Sequence, residues 1–470
     1  MSSAPVAAII LAAGQGTRMK SDLPKVLHEA CGRPMALWVV RAAQEAGADR
    51  IVTVIGNGAD LVRESLSSEP LEFVEQTERL GTAHATQQAT PLLGDFQGSV
   101  LVLAGDTPLL SGATLASLVK QQQESGAKCV LATFSLDDPT GYGRILRDGE
   151  GKVTGIVEHK DASEEQRAIK EVNPAVYCFD GPTLFRLLPQ VKNDNAQGEY
   201  YLPDVISMIA SEGAGLDAVH FDDADEFLGV NDRWQLAAAA GKLNQRILKS
   251  HAMNGVHIVD PHSTWIGGNV QIGAGTTILP GCFLQGKVVM GQDNMIGPHC
   301  FIRDAQIGNG CHVFMSHMNQ CRITDEVRVG PFANIRPKAL LEDRVKVGNY
   351  VEVKNATLHE DVSVSHLTYL GDAEIGARTN IGAGTITCNY DGFNKHITKI
   401  GQDTFVGSNS TLVAPLNIGD EAMVAAGSVV NRDVPDGAMT IGRGKQEIKE
   451  EWFKTWRKRK LEQQSTEKGR

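Results

Sequence analysis

An aliphatic residue recurs at every sixth position in the C-terminal half of the chain. The longest uninterrupted run is Ile400, Val406, Leu412, Ile418, Val424 and Val430. Since 42% of the chain is hydrophobic, chance would give such a run in roughly 0.5% of frames, so a six-residue repeat is indicated. The same spacing recurs upstream at Val329, Ile335, Leu341, Val347 and Val353, and earlier at Ile266, Ile272, Ile278 and Leu284.

This period fits short strands joined by tight corners. A helix repeats about every 3.6 residues and a strand about every two, whereas a narrow prism of short strands places one aliphatic side chain per face in its interior. Glycine follows several of the aliphatic residues, as in Ile375-Gly376 and Val406-Gly407. We expect these glycines to supply corner backbone angles that bulkier residues resist. The spacing predicts a parallel β-helix of hexapeptide repeats over about residues 255–443.

The N-terminal part alternates between strand and helix patterns. We predict strands at 6–11, 51–55 and 100–104, and helices at 35–45 and 82–93. This alternation is typical of a mostly parallel, Rossmann-like α/β sheet with helices on both faces. Ligands of such sheets bind beyond the carboxyl ends of the strands, where loops 12–18 and 105–108 lie.

The domain boundaries follow from these patterns. The first domain is expected at 1–232, and an alanine-rich linker helix at 233–254. The repeat domain is expected at 255–470, ending in a polar segment that is a short helix or a disordered tail. Residues 382–399 interrupt the repeat with the polar stretch TCNYDGFNKHITK, and loops on a regular scaffold are where function concentrates.

Composition and charge exclude several classes of protein. The net charge of −11 argues against a nucleic-acid-binding surface, and the basic run Arg457-Lys458-Arg459-Lys460 is typical of a solvated tail. No stretch reaches the ~20 apolar residues of a membrane span, and the N-terminus lacks a signal-peptide pattern. The eight cysteines are dispersed without a CxxC pair, which argues against a disulfide framework or a zinc site. A reducing cytoplasm is therefore expected.

The first predicted strand runs into a loop of small residues and cations. The segment reads Leu11-Ala12-Ala13-Gly14-Gln15-Gly16-Thr17-Arg18-Met19, and Leu23-Pro24-Lys25 follows. The small residues let the backbone approach a base and its phosphates, while Arg18 and Lys25 can offset phosphate charge. The segment is neither a P-loop nor a dinucleotide fingerprint, because GxxxxGK[ST] and the third glycine are missing.

The whole string, LAAGxGTRM followed by LPK, resembles the signature of sugar-phosphate nucleotidyltransferases. The resemblance continues in order through Gln76, Gly81-Thr82, Gly105-Asp106, residues 139–144, Glu158-His159-Lys160, Asn173 and Gly229-Val230-Asn231. With the repeats included, nearly the full chain resembles the bacterial bifunctional N-acetylglucosamine-1-phosphate uridyltransferases/glucosamine-1-phosphate acetyltransferases. This family implies a left-handed parallel β-helix after the nucleotidyltransferase domain, a homotrimer, and a product that serves peptidoglycan and lipopolysaccharide synthesis.

The resemblance assigns roles in the N-terminal domain. It implies that Arg18 and Lys25 stabilise the triphosphate and the departing pyrophosphate. It implies that Asp106 and Asn231 hold Mg²⁺, whose preference for hard oxygen ligands suits a carboxylate and an amide; an ordinary turn role for Asp106 is the alternative. The implied contacts to UTP and UDP-N-acetylglucosamine are Leu11, Ala12, Ala13, Gly14, Lys25, Gln76, Gly81, Thr82, Ala104, Gly105, Asp106, Gly143, Glu158, Asn173 and Asn231.

Two residues depart from the family pattern. Ala104 stands where the family often has tyrosine, and Pro174 follows Asn173 where threonine is usual. Neither change removes a charge or a metal ligand, so we expect activity to be retained.

His366 is the candidate for chemistry in the repeat domain, although a structural role is the usual one for a lone histidine. Arg336 and Lys354 are 18 residues apart, which is one full coil of a triangular prism, so they should stack on one face. Two stacked cations repel each other without an anion between them, and a sugar phosphate is such an anion.

The resemblance also assigns roles in this domain. His366 is implied to be the general base that takes a proton from the glucosamine amine. Arg336 and Lys354 are implied to grip the 1-phosphate of glucosamine 1-phosphate, with Tyr369 and Asn380 orienting the sugar. The implied acetyl-CoA channel is lined by Ala383, Asn389, Tyr390, Ser408, Ala426 and Arg443, and the Asn389-Tyr390 loop reaches toward a neighbouring subunit.

Three functions remain open at this point. The leading one is acetylation of glucosamine 1-phosphate followed by uridylyl transfer from UTP. The second is a nucleotidyltransferase with a single activity and a regulatory β-helix, against which His366, Arg336 and Lys354 speak. The third is a non-catalytic scaffold subunit, which the intact Arg18, Lys25 and Asp106 disfavour.

Overall fold

The computed structural model describes residues 4–213 and 215–468, and the chain divides into two compact units. The first unit is Met1–Asn254 with Trp265–Val270 and Leu284–Lys287, and the second is Gly255–Thr264 with Gln271–Phe283 and Val288–Arg470. The alanine-rich helix belongs to the first unit. The functional domain boundaries inferred from the sequence stay a prediction.

The first unit is an α/β fold. Its strands are β1 (Val6–Leu11), β2 (Glu29–Ala30), β3 (Arg33–Pro34), β4 (Ala48–Ile55), β5 (Glu72–Glu75), β6 (Ser99–Ala104), β7 (Cys129–Ser135), β8 (Gly143–Arg147), β9 (Val153–Val157), β10 (Glu171–Asn173), β11 (Tyr177–Asp180) and β12 (Leu216–His220). Its helices are α1 (Met35–Glu45), α2 (Ala59–Ser65), α3 (Thr82–Gln87), α4 (Thr90–Leu93), α5 (Gly112–Ser125), α6 (Glu164–Arg167), α7 (Gly181–Leu187), α8 (Pro203–Ser211) and α9 (Arg233–Met253). Short 3₁₀ turns lie at Thr17–Met19, Lys25–Leu27, Leu188–Gln190 and Ala224–Phe227.

The main sheet of this unit is mixed rather than mostly parallel. Its strand order is β5-β4-β1-β6-β11-β7-β10-β8-β9, with β12 paired to β7. Strands β5, β4, β1 and β6 are parallel as predicted, but β11 lies antiparallel to both β6 and β7. Strands β10 and β11 are both antiparallel to β7 and are separated by only Pro174, Ala175 and Val176, so β11 continues in the direction of β10.

Alternating side chains of the central strand build two cores, one on each face of the sheet. In β1, Ala7 and Ile9 pack into one core with residues of α7 and α8, while Ala8 and Ile10 pack into the other with residues of α1 and α5. The predicted helices on both faces are therefore confirmed. The sheet edge formed by the carboxyl ends of β1 and β6 is held rigidly between these cores.

The helix predicted at 82–93 is two helices, α3 and α4. Pro91 lies in the first turn of α4, and proline lacks the N–H that a continuous helix needs from this position. The helix predicted at 35–45 and the alanine-rich helix are confirmed as α1 and α9.

The repeat region consists of short strands. They are β13 (His257–Ile258), β14 (Trp265–Ile266), β15 (Gln271–Ile272), β16 (Thr277–Ile278), β17 (Phe283–Gln285), β18 (Val289–Met290), β19 (Met295–Ile296), β20 (Phe301–Arg303), β21 (Gln306–Ile307), β22 (His312–Val313), β23 (His317–Asn319), β24 (Arg322–Ile323), β25 (Arg328–Val329), β26 (Asn334–Ile335), β27 (Leu340–Leu341), β28 (Lys346–Asn349), β29 (Glu352–Leu358), β30 (Ser363–His366), β31 (Tyr369–Ile375), β32 (Asn380–Ile381), β33 (Ile386–Cys388), β34 (Thr398–Ile400), β35 (Phe405–Val406), β36 (Thr411–Val413), β37 (Leu416–Ile418), β38 (Met423–Val424), β39 (Val429–Val430) and β40 (Met439–Thr440). The polar C-terminal segment forms a helix, α10 (Trp452–Lys468).

Within the second unit these strands stack in parallel on three faces. The first face runs through β13, β16, β19, β22, β25, β28, β30, β32, β35, β38 and β40. Strands β29 and β31 bend and contribute to both of the other faces. The aliphatic residues of the six-residue register are buried, except Ile272, which is half-buried. The predicted prism with a parallel β-helix architecture is confirmed.

The coils are less uniform than a strict hexapeptide repeat requires. The register pairs Ile278 with Ile296, Ile296 with Val313 and Val313 with Val329, so successive coils are 18, 17 and 16 residues long. Corners absorb these differences while the inward positions stay aligned. The polar interruption lengthens one coil, from Ile375 to Ile400, to 25 residues.

The glycines that follow the aliphatic residues act by close approach, and the corner-angle explanation is wrong for them. Gly376 and Gly407 do not have positive φ angles, whereas corner residues such as Asp361 and Arg378 do. A Cβ on Gly376 would lie 2.4 Å from the backbone nitrogen of Gln402, and one on Gly407 would lie 2.5 Å from that of Ala426. These glycines let successive coils pack against each other.

All eight cysteines are free thiols. No helix among the described residues combines the length and the apolar character needed to cross a bilayer.

Candidate active sites

The first site lies where β1 and β6 end. The backbone N–H of Gly105, just after β6, donates to the carbonyl oxygen of Leu11 at 2.9 Å. A Cβ on Gly105 would lie only 3.1 Å from that oxygen, so a larger residue would push the two strand ends apart. This contact sets the small-residue loop beside Asp106.

Lys25, Asp106 and Asn231 converge at this edge. The ammonium group of Lys25 forms an ion pair with the carboxylate of Asp106 and lies 3.3 Å from the side-chain oxygen of Asn231. A backbone hydrogen bond of 2.9 Å, from the N–H of Val230 to the carbonyl of Asp106, joins the two segments. The carboxylate and amide oxygens therefore both face one cation, and such a donor pair fits Mg²⁺.

Two adjoining cavities, of about 700 and about 360 Å³, open beside these residues. Ala104, Asp106, Glu158 and Asn173 line both cavities. Of the other predicted contacts, Arg18, Gly143 and Asn231 line the larger cavity, and Leu11, Ala13, Gly14, Lys25, Gln76, Gly81 and Thr82 line the smaller one. Ala12 and Gly105 are not among the lining residues; Ala12 is buried in a core beneath the loop.

The far wall of the cavities is built by the irregular link between β10 and β11. The side-chain N–H of Asn173 donates to the hydroxyl oxygen of Tyr177 at 2.7 Å, and its carbonyl oxygen accepts the N–H of Ala175 at 3.1 Å. Ala175 has a φ of 59°, so Pro174 and Ala175 form a tight turn that fixes Asn173. Tyr177 lines the smaller cavity, yet in the sequence it is indistinguishable from a core aromatic residue.

Glu158 is a half-buried carboxyl group between the two cavities. Burial raises the pKa of Glu158, and the nearby carboxylates of Asp161 and Asp204 raise it further. A carboxyl group whose pKa is raised on folding opposes folding above its unfolded pKa of about 4.3. The charge of Glu158 therefore lowers the stability of the folded protein at neutral pH. This is expected of a carboxyl group that serves to bind a ligand rather than to stabilise the fold.

We expect Glu158→Gln to raise the melting temperature of the protein at pH 7.5. The variant removes the unfavourable burial of a charge, so the gain should shrink as the pH falls toward about 4, where the parent carboxyl is protonated in both states. Uridylyl transfer should fall at the same time. Thermal unfolding of both proteins at several pH values checks this, and a variant less stable than the parent at pH 7.5 would contradict it.

The second site follows one corner of the prism. The register pairs Asn349 with His366, and extending the pairings Val364–Ile381, Ile381–Val406 and Val406–Val424 by two residues continues this line. The line contains, one per coil, Asn349, His366, Ala383, Ser408 and Ala426. The predicted base and three predicted acetyl-CoA contacts thus form one column, which we call the corner column.

His366 stands exposed in this column with one ring nitrogen engaged. Its Nδ1 lies 2.8 Å from the side-chain oxygen of Asn349. An amide oxygen only accepts hydrogen bonds, so Nδ1 carries the proton and the lone pair is on Nε2. The contact gives His366 the tautomer that a general base needs.

Arg336 and Lys354 stack on adjacent coils, as predicted. The pairs Asn334–Glu352 and Ile335–Val353 place Arg336 beside Lys354. However, Arg336 also forms an ion pair with the carboxylate of Glu352. Glu352 already supplies an anion here, so repulsion between the cations is weaker evidence for a phosphate site than the sequence suggested.

Tyr369 and Asn380 lie on the coils next to these residues. Tyr369 pairs with Glu352 in the register, and its ring lies over Gly371, where a Cβ would meet the hydroxyl oxygen. Asn380 begins β32 and pairs with Ser363 of the strand that carries His366.

The polar loop after β33 presents an exposed aromatic surface. Asn389 is buried and donates to the carboxylate of Asp372, which also accepts from Asn355. Tyr390 and Phe393 are exposed, Phe393 to 92%. Asp372, which ties down the loop, was missed because a lone aspartate at a corner carries no distinctive signal.

Arg443 lies at the end of the corner column, where its side chain donates a hydrogen bond of 2.7 Å to the carbonyl oxygen of Ala426.

Comparisons with known proteins bear on both units. A family model described as a MobA-like NTP transferase domain matches residues 8–198, and one described as a hexapeptide repeat of succinyl-transferase matches residues 397–432. The protein named bifunctional protein GlmU from Geobacillus sp. (strain WCH70) is 48% identical over 445 residues, which is 95% of this chain and 97% of that protein. The GlmU protein of Listeria monocytogenes serotype 4a (strain HCC23) is 48% identical over 442 residues, covering 94% and 96% of the two chains.

The chain belongs to the GlmU family of bifunctional proteins. The likeness extends to the GlmU protein of Halalkalibacterium halodurans, 46% identical over 95% of this chain and 98% of that protein. The family resemblance seen in the sequence is confirmed, as is the combination of an NTP transferase domain with a hexapeptide β-helix. The chain is a bifunctional enzyme with uridyltransferase and acetyltransferase activities, and the single-activity and scaffold alternatives are set aside.

Proposed function

We propose that this enzyme makes UDP-N-acetylglucosamine in two steps, one at each of the two sites. Acetyl-CoA first acetylates glucosamine 1-phosphate at the corner column, and UTP then uridylylates the N-acetylglucosamine 1-phosphate at the cavities of the first unit. The observation that carries this proposal is the convergence of Lys25, Asp106 and Asn231 between the two cavities. Membership of the family of bifunctional proteins also supports the assignment of one reaction to each site.

In the uridylyl step, a phosphate oxygen of the sugar phosphate attacks the α-phosphorus of UTP in line. The new P–O bond forms as the bond to pyrophosphate breaks, so positioning and charge neutralisation lower the barrier. Arg18 and Lys25 neutralise the triphosphate and the leaving pyrophosphate, and Glu158 and Asn173 hold the sugar. Asp106 and Asn231 would hold Mg²⁺, which supplies further neutralisation of phosphate charge.

In the acetyl step, the amine nitrogen of glucosamine 1-phosphate attacks the thioester carbonyl of acetyl-CoA. Nε2 of His366 takes a proton from the nitrogen as the C–N bond forms, and the proton passes to the thiolate of coenzyme A as the C–S bond breaks. Arg336 and Lys354 hold the 1-phosphate, and Tyr369 and Asn380 orient the sugar. Ala383, Ser408 and Ala426 leave room for the pantetheine arm, with Asn389, Tyr390 and Arg443 at its edges.

An assay that follows the two products separately tests the proposal. The purified protein is given glucosamine 1-phosphate, acetyl-CoA, UTP and Mg²⁺, and coenzyme A and pyrophosphate are measured. We expect both to be released in equal amounts, with pyrophosphate lagging behind coenzyme A. Pyrophosphate release that does not depend on acetyl-CoA would contradict the order of the steps.

We further propose that the enzyme works as a homotrimer through its β-helix. Phe405, Met423 and Met439 stack outward on successive coils of the first face and are 47%, 41% and 57% exposed. An apolar column of this kind is typical of a protein interface. Free thiols throughout the chain agree with a reducing cytoplasm.

Sedimentation of the full-length protein tests the assembly. The chain has a mass of 50.5 kDa, so we expect a single species of three times that mass at micromolar concentration. Replacing Met423 with Asp should shift the distribution toward monomer, because it buries a charge in the proposed contact. A monomer at micromolar concentration would contradict the proposal.

A further inference from the structure

The sugar contacts proposed for the first site lie side by side on three neighbouring strands. The register pairs Gly143 of β8 with Asn173 of β10. It also pairs Arg144 with Val157 of β9, and extending this pairing by one residue places Gly143 opposite Glu158. A Cβ on Gly143 would lie 3.3 Å from the carboxylate oxygen Oε1 of Glu158. A change in the spacing of β8 and β9 at this point would therefore move the sugar contacts apart.

The regular pairing of β8 with β9 stops just short of this point. Strand β8 begins at Gly143 and β9 ends at Val157, so Tyr142 and His159 continue the two segments beyond the last ladder pair. Tyr142 lines the larger cavity beside Gly143. Ladder hydrogen bonds therefore do not join the two segments at the end that faces the sugar.

The side chain of Arg144 joins them instead. It is 1% exposed and lines neither cavity. Its guanidinium group donates to the carbonyl oxygen of Tyr142 and, at 3.3 Å, to that of Arg167, and it lies 3.3 Å from Nδ1 of His159. A guanidinium group only donates hydrogen bonds, so Nδ1 accepts and the ring proton of His159 is on Nε2. One rigid, planar group thus contacts both segments.

We propose that Arg144 is a positioning residue for the sugar phosphate, acting through Tyr142 and His159. By tying these two segments together, it fixes the spacing between Gly143 and Glu158. Small displacements of such groups weaken binding and slow reaction, and the proposed contacts to the base of UTP lie on other elements. The inference rests on the proposed function, in which Gly143 and Glu158 contact the sugar.

The test measures KM separately for N-acetylglucosamine 1-phosphate and for UTP in the full-length protein. His159→Ala removes the acceptor and should raise the KM for the sugar phosphate by about tenfold, with less than about a twofold change for UTP. His159→Asn places a side-chain oxygen near the position of Nδ1 and should retain most of the parent value. Arg144→Met should raise the same KM at least as much as His159→Ala. Arg147→Met, on the same strand and ion-paired with Glu171 at 2.6 Å, is the matched control and should change neither KM.

The double variant Arg144→Met/His159→Ala distinguishes one shared contact from two separate effects. Because both changes break the same connection, the KM for the sugar phosphate should rise no further than in Arg144→Met alone. Multiplied effects, an unchanged KM in His159→Ala, or equal rises for both substrates would overturn the inference. A rise in His159→Asn or Arg147→Met as large as in His159→Ala would do the same.

A thermal melt shows whether Arg144→Met folds. If it does not, the comparison of His159→Ala with His159→Asn decides the matter without it. Failure of the parent protein to transfer a uridylyl group from UTP to N-acetylglucosamine 1-phosphate would instead reject the proposed function itself.

Discussion

Asp106→Ala will abolish uridylyl transfer, with a loss of about a thousandfold or more, while acetyl transfer continues at the parent rate. The carboxylate is the one formal negative charge that contacts Lys25 in the described residues, and it is the proposed ligand whose charge holds Mg²⁺ against the phosphates. Without it, the site loses several kcal/mol of charge stabilisation. Pyrophosphate release from UTP and N-acetylglucosamine 1-phosphate measures the first activity, and coenzyme A release measures the second.

Asp95→Ala is the matched control for this variant. Asp95 is an exposed aspartate of the same unit, after α4, and its removal should change neither activity. Near-normal pyrophosphate release by Asp106→Ala would refute the assignment of Asp106. Loss of both activities would point to unfolding, which a thermal melt of the variant would reveal.

His366→Ala will slow acetyl transfer by about 10²–10⁴-fold, the usual contribution of a general base. The sugar amine is largely protonated at neutral pH, so the attack on the thioester needs a base at the nitrogen. Uridylyl transfer from supplied N-acetylglucosamine 1-phosphate should be unchanged. His262→Ala, which removes an exposed histidine of the same unit, should leave both rates intact. Acetylation at the parent rate by His366→Ala would make this histidine structural.

A mixture of the two inactive variants links these predictions. His366→Ala protein keeps the uridylyl step and Asp106→Ala protein keeps the acetyl step. If the acetylated intermediate leaves into solution, the mixture should convert glucosamine 1-phosphate to UDP-N-acetylglucosamine although neither variant does so alone. Absence of product from the mixture would mean that the intermediate is not exchanged, or that one variant has lost both activities.

The prism could be predicted from the sequence because each face of each coil needs one aliphatic side chain in the interior, and this requirement appears directly as the six-residue spacing. Six-residue spacing of residues such as Val406 and Val424 leaves no other regular backbone, whatever the corners do. The corners themselves were less predictable. The sequence pattern predicts that Gly376 and Gly407 supply corner angles, but these glycines instead let the next coil approach. Non-glycine residues such as Asp361 adopt the left-handed angles.

Strand direction and partner choice in the first unit lie beyond a single sequence. Tyr177 to Asp180 has the same buried pattern as a parallel strand, yet β11 continues in the direction of β10 and runs antiparallel to β6 and β7. Lys25 could be found because a cation in a loop of small residues suits phosphate, and Asp106 because it lies in a motif that resembles those of nucleotidyltransferases. Glu352 and Asp372 could not, because their roles depend on which neighbours the fold brings within reach.

The corner column restricts the changes of length that such an enzyme can tolerate. Each coil contributes one residue to the column, so adding or removing a whole coil beyond Ala426 would alter the surface proposed to bind the coenzyme without changing the face on which His366 lies. The differences of one or two residues between coils are taken up at the corners, so small insertions there are tolerated as well. Partial coils would instead rotate every later residue onto a different face. The length of the proposed binding surface can therefore change only by whole coils.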